Sequence, residues 1–159
     1  MYTDIVLMER NKEAENLSKK LGFEKLVFKE EFSKIGLFIS EDPDKNRKLI
    51  EGKKIKILAN PHVNSLNDSL HHRSSGLNQV MCRLMHENDI ALGVSLNSLY
   101  DPVLLGRFKQ NIKLCRKYKV RILFFTFAES KYELRGREDM LGFLRAIGMT
   151  GKEAKNALN

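Results

Sequence analysis

Short apolar runs alternate with amphipathic stretches of helical period along the whole chain, and few architectures accept that alternation. Ile5–Met8, Leu26–Phe28, Ile35–Ile39, Ile55–Ala59, Ala91–Leu96 and Arg121–Phe127 read as strands. The last is apolar almost throughout, so burial on both faces is expected. Between them, Lys12–Leu21 reads as a helix closing at Gly22. Ser40 to Pro43 reads as a helix start, with Asp42 as cap and Pro43 in the first turn, and the helix runs to Glu51. Gly76–Asn88 places Leu77, Val80, Met81, Leu84 and Met85 on one face. Asp101-Pro102 opens the longest helix, with Val103, Leu104, Phe108, Ile112 and Cys115 inward. Helices at Glu138–Ile147 and Lys152–Leu158 close the chain. Strands separated by helices call for an α/β fold with a parallel sheet, helices outside and right-handed connections. Six strands in 159 residues make an open doubly wound sheet or most of a barrel, since eight units usually take at least about 200 residues. No linker or repeat divides residues 1–159, which read as a single domain.

Charge narrows the partner. Lys and Arg outnumber Asp and Glu by 28 to 20, a net +8, so a polyanion is the natural ligand. Cys82 and Cys115 fall at apolar helix positions and read as buried free thiols of a reducing compartment. The acidic start, Met1 to Arg10, is no secretory signal, and the longest apolar stretch is too short to span a membrane. A cytoplasmic protein without a membrane partner is expected.

Parallel α/β folds carry chemistry at the carboxyl ends of their strands. Glu9, Arg10, Lys29, Glu30, Asn60, His62, Ser95, Asn97, Thr126 and Glu129 stand there, without a recognisable nucleophile–base pair. A metal centre would draw on His62, His71 and His72 with a carboxylate such as Asp68, but neighbouring histidines in a loop need not converge. Two basic segments stand out. In Arg73-Ser74-Ser75-Gly76, the serines and glycine at a helix start leave N–H groups open to an anion beside the arginine. Between Arg107 and Arg121, Lys109, Lys113, Arg116, Lys117 and Lys119 occur without an acid. Lys109, Lys113 and Arg116 share a helix face, and a uniformly positive face calls for an external anion or a partner.

Asn60-Pro61, Ser75-Gly76-Leu77-Asn78-Gln79 and Ile90 to Leu96 resemble ribonuclease P protein component 3. Arg107 with Asn111 to Tyr118, Phe125 to Ala128, Tyr132 to Arg135 and Leu144 to Met149 extend the resemblance. It implies a TIM-barrel-like parallel barrel related to the polymerase-and-histidinol-phosphatase fold, shortened or incomplete at its C-terminal end. It further implies a protein subunit of the ribonucleoprotein endonuclease that removes the 5′ leader of precursor tRNA. Such a subunit has no catalytic residue, metal or cofactor of its own. It meets ribonuclease P RNA, a Pop5-like subunit and other protein subunits, and the RNA of the holoenzyme requires Mg²⁺. On that reading His72, Arg73, Ser74, Lys113, Arg116, Lys117 and Arg135 contact RNA. The alternative is a stand-alone metal-dependent phosphoesterase of the related fold, using His62, Asp4 and Glu9. The chain departs from the family twice. Ser74 stands where an acid is frequent, and members usually continue past Met149 with a further strand and helix, so the barrel is expected to be open, smaller, or closed by a partner.

Overall fold

A computed structural model describes residues 1–40 and 42–159; residue 41, within the expected helix start at Ser40 to Pro43, lies outside it. Strands β1 (Thr3–Ile5), β2 (Lys25–Val27), β3 (Leu37–Ile39), β4 (Ile57–Ala59), β5 (Ala91–Ser95) and β6 (Ile122–Phe125) alternate with helices as the sequence pattern requires. The helices are α1 (Lys12–Lys20), α2 (Phe32–Ile35), α3 (Pro43–Glu51), α4 (Gln79–Glu87), α5 (Pro102–Tyr118), α6 (Arg137–Ala146) and α7 (Gly151–Ala157).

Every strand pairing is parallel, in a four-stranded sheet β3-β4-β5-β6 and a two-stranded sheet β1-β2. The two meet at a seam between β6 and β1. There Phe127 N–H donates to the Ile5 carbonyl at 2.9 Å, and Leu7 N–H to that of Ala128 at 2.9 Å. Around the molecule the strands therefore run 3-4-5-6-1-2, and alternate residues turn inward. Ile5, Val27, Leu37, Ile57, Ala59 and Phe125 form one interior cluster with Phe32 and Phe127. This is a TIM-barrel-like arrangement, although β2 and β3 share no ladder. Phe32 of α2 instead stacks on Phe127 at 5.8 Å. Gly93 is what lets β5 into this interior: a Cβ there would lie 2.9 Å from both the Ile57 and Phe125 side chains. On the outer side Leu58, Leu92, Val94 and Phe124 pack against the helices, and Phe108 and Phe143 flank Phe124 at 6.2 and 5.9 Å.

Tertiary contacts move several boundaries. The run Ile35–Ile39 is not one strand, because Gly36 turns left-handed (φ +67°) and ends α2 before β3 begins. The first strand lies at Thr3–Ile5 rather than Ile5–Met8: pairing with β2 sets its register, and Leu7 and Met8 leave to bond Ala128. β6 is not buried on both faces throughout, since Ile122 and Leu123 are half-buried. Val103, expected inward, is 47% exposed; the buried face of α5 is Arg107, Phe108, Asn111, Ile112 and Cys115. The helix expected from Gly76 also starts later. α4 begins at Gln79, with the Asn78 side chain accepting Met81 N–H at 2.9 Å. Gly76 sits three residues earlier in a left-handed turn (φ +77°), where a Cβ would fall 1.9 Å from the Pro61 carbonyl oxygen. Cys82 and Cys115 are buried free thiols. Among the described residues no helix is long and apolar enough to cross a membrane.

Candidate nucleic-acid interface

The polar segment between β4 and α4 has almost no regular structure, yet it is held firmly. Its anchor is Arg107, whose side chain is 5% exposed. One nitrogen of the guanidinium donates to the carbonyls of His62 (3.0 Å) and Asn64 (3.1 Å), the second to that of Leu66 (2.5 Å). Its Nε donates to Asp68 at 2.8 Å. A buried guanidinium needs such a set of acceptors, and this one finds them in a loop that has no ladder of its own. α5 adds two further clamps. Gln110 accepts Arg73 N–H and donates back to its carbonyl, and Asn111 donates to the Ser75 carbonyl at 3.0 Å. His62 is fully buried, with Nε2 2.8 Å from the Ser98 hydroxyl and its ring near that of Phe108. Burial, assisted by Arg107, pushes its pKa down to about 4.

The anion expected beside Ser74 and Ser75 is supplied by the chain itself. The Asp68 carboxylate accepts Ser74 N–H at 2.8 Å and lies 3.6 Å from the Arg73 guanidinium. The Ser74 N–H, then Arg107 and Arg73, hold Asp68 below the usual carboxylate range against some desolvation. The Ser74 hydroxyl donates to the Asn67 carbonyl. Arg73, half exposed, rests its guanidinium on Gly106 of α5, and His72 is exposed.

The other expected contacts divide. Lys113 and Lys117 are exposed, the latter 5.5 Å from the Tyr118 ring, whose neighbourhood Arg83 shares at 5.6 Å. With exposed Lys109 they stand at successive four-residue steps, a rise of about 6 Å each. Arg116 is drawn off this row. It makes a bidentate pair with Glu153 of α7, at 2.7 and 2.8 Å, and donates to the Gly148 carbonyl. That pairing is the chief reason the Glu153 carboxyl falls to about 2. Arg135 turns back on the Tyr132 and Leu134 carbonyls. The sequence reading missed Arg107 and Asp68 as organisers. The available signal was Arg107 and Asn111, one turn apart along the edge of an otherwise apolar face.

Asp4, in the middle of β1, is fully buried. It accepts Thr126 N–H and the Thr126 hydroxyl, each at 2.7 Å, and Ile5 N–H at 2.9 Å. Desolvation outweighs these three donors and raises its pKa to about 6. Among the described residues no three His, Cys, Asp or Glu side chains form a group that could hold a metal ion. His86 lies 3.1 Å from the Lys119 carbonyl.

No family model matches the chain. It is similar to ribonuclease P protein component 3 of Methanosarcina mazei, 36% identical over an alignment 108 residues long that covers 64% of this chain and 45% of that protein. The same component of Methanococcus vannielii is 28% identical over 108 residues, 64% of this chain and 44% of that protein. The matched segment thus spans just under half the length of these curated relatives. Among solved structures, a chain of the cryo-EM structure of archaeal ribonuclease P with mature tRNA has the same fold. Its TM-score is 0.75 at 20% identity, covering 98% of this chain and 86% of that one.

Proposed function

We propose that the chain is a member of the ribonuclease P protein component 3 family, to which it is similar, and a protein subunit of ribonuclease P, the ribonucleoprotein that removes the 5′ leader of precursor tRNA. It assists RNA-based cleavage and leaves bond breaking to nucleotides. Its partners are ribonuclease P RNA, a Pop5-like subunit and other protein subunits, with precursor tRNA as the substrate of the assembly. The chain carries no cofactor of its own, the Mg²⁺ being held by RNA, and it works in the cytoplasm. A stand-alone metal-dependent phosphoesterase is the less favoured reading, because that chemistry needs converging donors, and His62, Asp4 and Glu9 do not form such a group.

One observation carries the proposal. Lys109, Lys113 and Lys117 form an exposed row on α5, beside a loop that Arg107 and Asp68 have already ordered. A row of exposed ammonium groups tracks a phosphate backbone without reading bases, which suits shape-directed binding of structured RNA. Arg73 and His72 stand at its border. Arg116, Ser74 and Arg135 each turn at least one donor to a partner within the chain.

Reconstitution tests this reading. The chain and a Pop5-like subunit, added to the cognate RNA in Mg²⁺, are expected to accelerate precursor-tRNA cleavage. Affinity for the RNA should fall steeply with salt, and Lys113→Ala with Lys117→Ala should flatten the log–log slope by about 2. Cleavage by the polypeptide freed of nucleic acid, or a salt-independent affinity, overturns the reading.

A further inference from the structure

Two buried thiols outside the interface described above face each other across α4 and α5. The two helices pack together and run the same way. Their contacts keep one register: Asn111 of α5 bonds the Ser75 carbonyl ahead of α4, and His86 Nδ1 of α4 lies 3.1 Å from the Lys119 carbonyl at the far end. Cys82 and Cys115 each stand one turn before that last contact, on the buried faces of α4 and α5. Cys82 is 0% and Cys115 1% exposed, both belong to one apolar cluster, and their thiols share a hydrogen bond. Cys115 also has an approach from outside. It borders a cavity of about 470 Å³ between α5, β6 and α7, lined by Ile112, Val120 and Met149 and rimmed by exposed Lys119 and Arg121.

We propose that Cys82 and Cys115 are an oxidation site: a small hydroperoxide entering by this cavity converts the dithiol to a disulfide that staples α4 to α5, and thiol reductants reverse it. The site goes beyond the function proposed above and does not rest on it. A buried cysteine is ordinarily inert, because oxidant does not reach it. Here the cavity gives a small oxidant entry and the second thiol completes the reaction. A thiolate of the pair, held by the S–H of its neighbour, attacks one peroxide oxygen; the O–O bond breaks and hydroxide leaves, taking up the proton that the thiolate had lost. The second sulfur then attacks the sulfenic sulfur, the S–O bond breaks, and the departing hydroxyl leaves as water with the second thiol's proton. Two electrons pass from the dithiol to the peroxide, which ends as two waters. The neighbouring thiol also consumes the sulfenic acid before it can go on to the irreversible sulfinic acid. In a reducing compartment such a bond is transient and redox-sensing. The cross-link closes the chain from α4 through β5 to α5 into a loop, which restricts the unfolded state and braces the two helices while oxidant is present.

Hydrogen peroxide is the probe, added to the purified full chain in native buffer. The reaction is stopped with catalase, the remaining thiols are alkylated in urea, and the product is weighed intact and mapped as peptides without reductant. The expected product has lost two hydrogens, takes up no alkylating agent, carries one peptide that joins residue 82 to residue 115, and returns to the dithiol with dithiothreitol. Its thermal midpoint should lie about 5 °C or more above that of the reduced chain. Cys82→Ser and Cys115→Ser should show neither the joined peptide nor the rise, and the parent decides the question by itself should either variant fold poorly. Thiols that stay free after peroxide overturn the proposal, as do sulfinic acid as the main product and a disulfide between two molecules. A cross-link that forms only when urea is present during oxidation overturns it too, since the cavity would then give no entry. An oxidised chain that unfolds at or below the reduced midpoint overturns the staple.

Discussion

The seam between β6 and β1 and the loop beneath α5 both lack regular pairing, and each is closed by one buried charged side chain. The solutions are mirror images. Asp4 is an anion that gathers donors, two N–H groups and a hydroxyl, from strands that form no ladder there. Arg107 is a cation that gathers carbonyls from a segment without secondary structure. They differ in counter-charge. Arg107 has Asp68 at 2.8 Å, whereas Asp4 has only neutral donors, and burial lifts its carboxyl to about 6. A buried charge can thus replace a ladder, and whether it is paired decides whether the junction senses protons.

The largest effect expected from breaking this comparison is at Arg107. Arg107→Met keeps much of the volume but strands three carbonyls and Asp68, and removing one partner of a buried charge network costs about 3–5 kcal/mol. Urea unfolding should register that loss, and limited proteolysis should cut within residues 63–72 before the rest of the chain opens. An unchanged cleavage pattern would deny Arg107 its organising role.

Asp4 sharpens the comparison through pH. Its folded pKa of about 6 exceeds the ordinary 3.8. Its stabilising contribution is therefore full below about pH 4 and is lost as pH rises through 6, a swing of about 3 kcal/mol. His62 has the opposite sign. Held at about 4 against an ordinary 6.5, it contributes fully above pH 6.5, and that contribution is lost as pH falls towards 4. Between about pH 4.5 and 6 the two slopes oppose each other, and the Glu153 carboxyl at about 2 titrates lower. Asp4→Asn should unmask the histidine: urea midpoints of the variant fall on acidification across this window, while those of the parent stay nearly level. Parallel profiles would show that the seam does not sense protons.

The smallest effect is at the surface. Arg116→Ala breaks a half-exposed pair with Glu153, for which about 1 kcal/mol or less is expected after solvent screening. Faster amide exchange at the start of α7 should report it, with RNA affinity within twofold of the parent. A larger loss of RNA affinity would return Arg116 to the lysine row.

What could be read in advance divides along the range of the contacts involved. Asp42-Pro43 and Asp101-Pro102 start α3 and α5 where the sequence places them, because a cap and its first turn lie within a few residues. The parallel α/β class follows from periodicity, which is also local. The helix start expected at Gly76 lies three residues later because Ser75 is held by Gln110 and Asn111, which lie on another helix. The basic row on α5 was legible as composition, but the diversion of Arg116 to α7 was not.

By itself, then, the chain's order of residues determined the strand and helix succession, the positive balance and the family resemblance, each a property of neighbours or of counting. Only the tertiary structure decided that Asp4 would close a seam with Thr126, 122 residues away, and that Arg107 would fold the loop around Asp68, 39 residues back. Those bonds form only when the sheet and α5 bring distant segments together and exclude water from them, and no local pattern records that event.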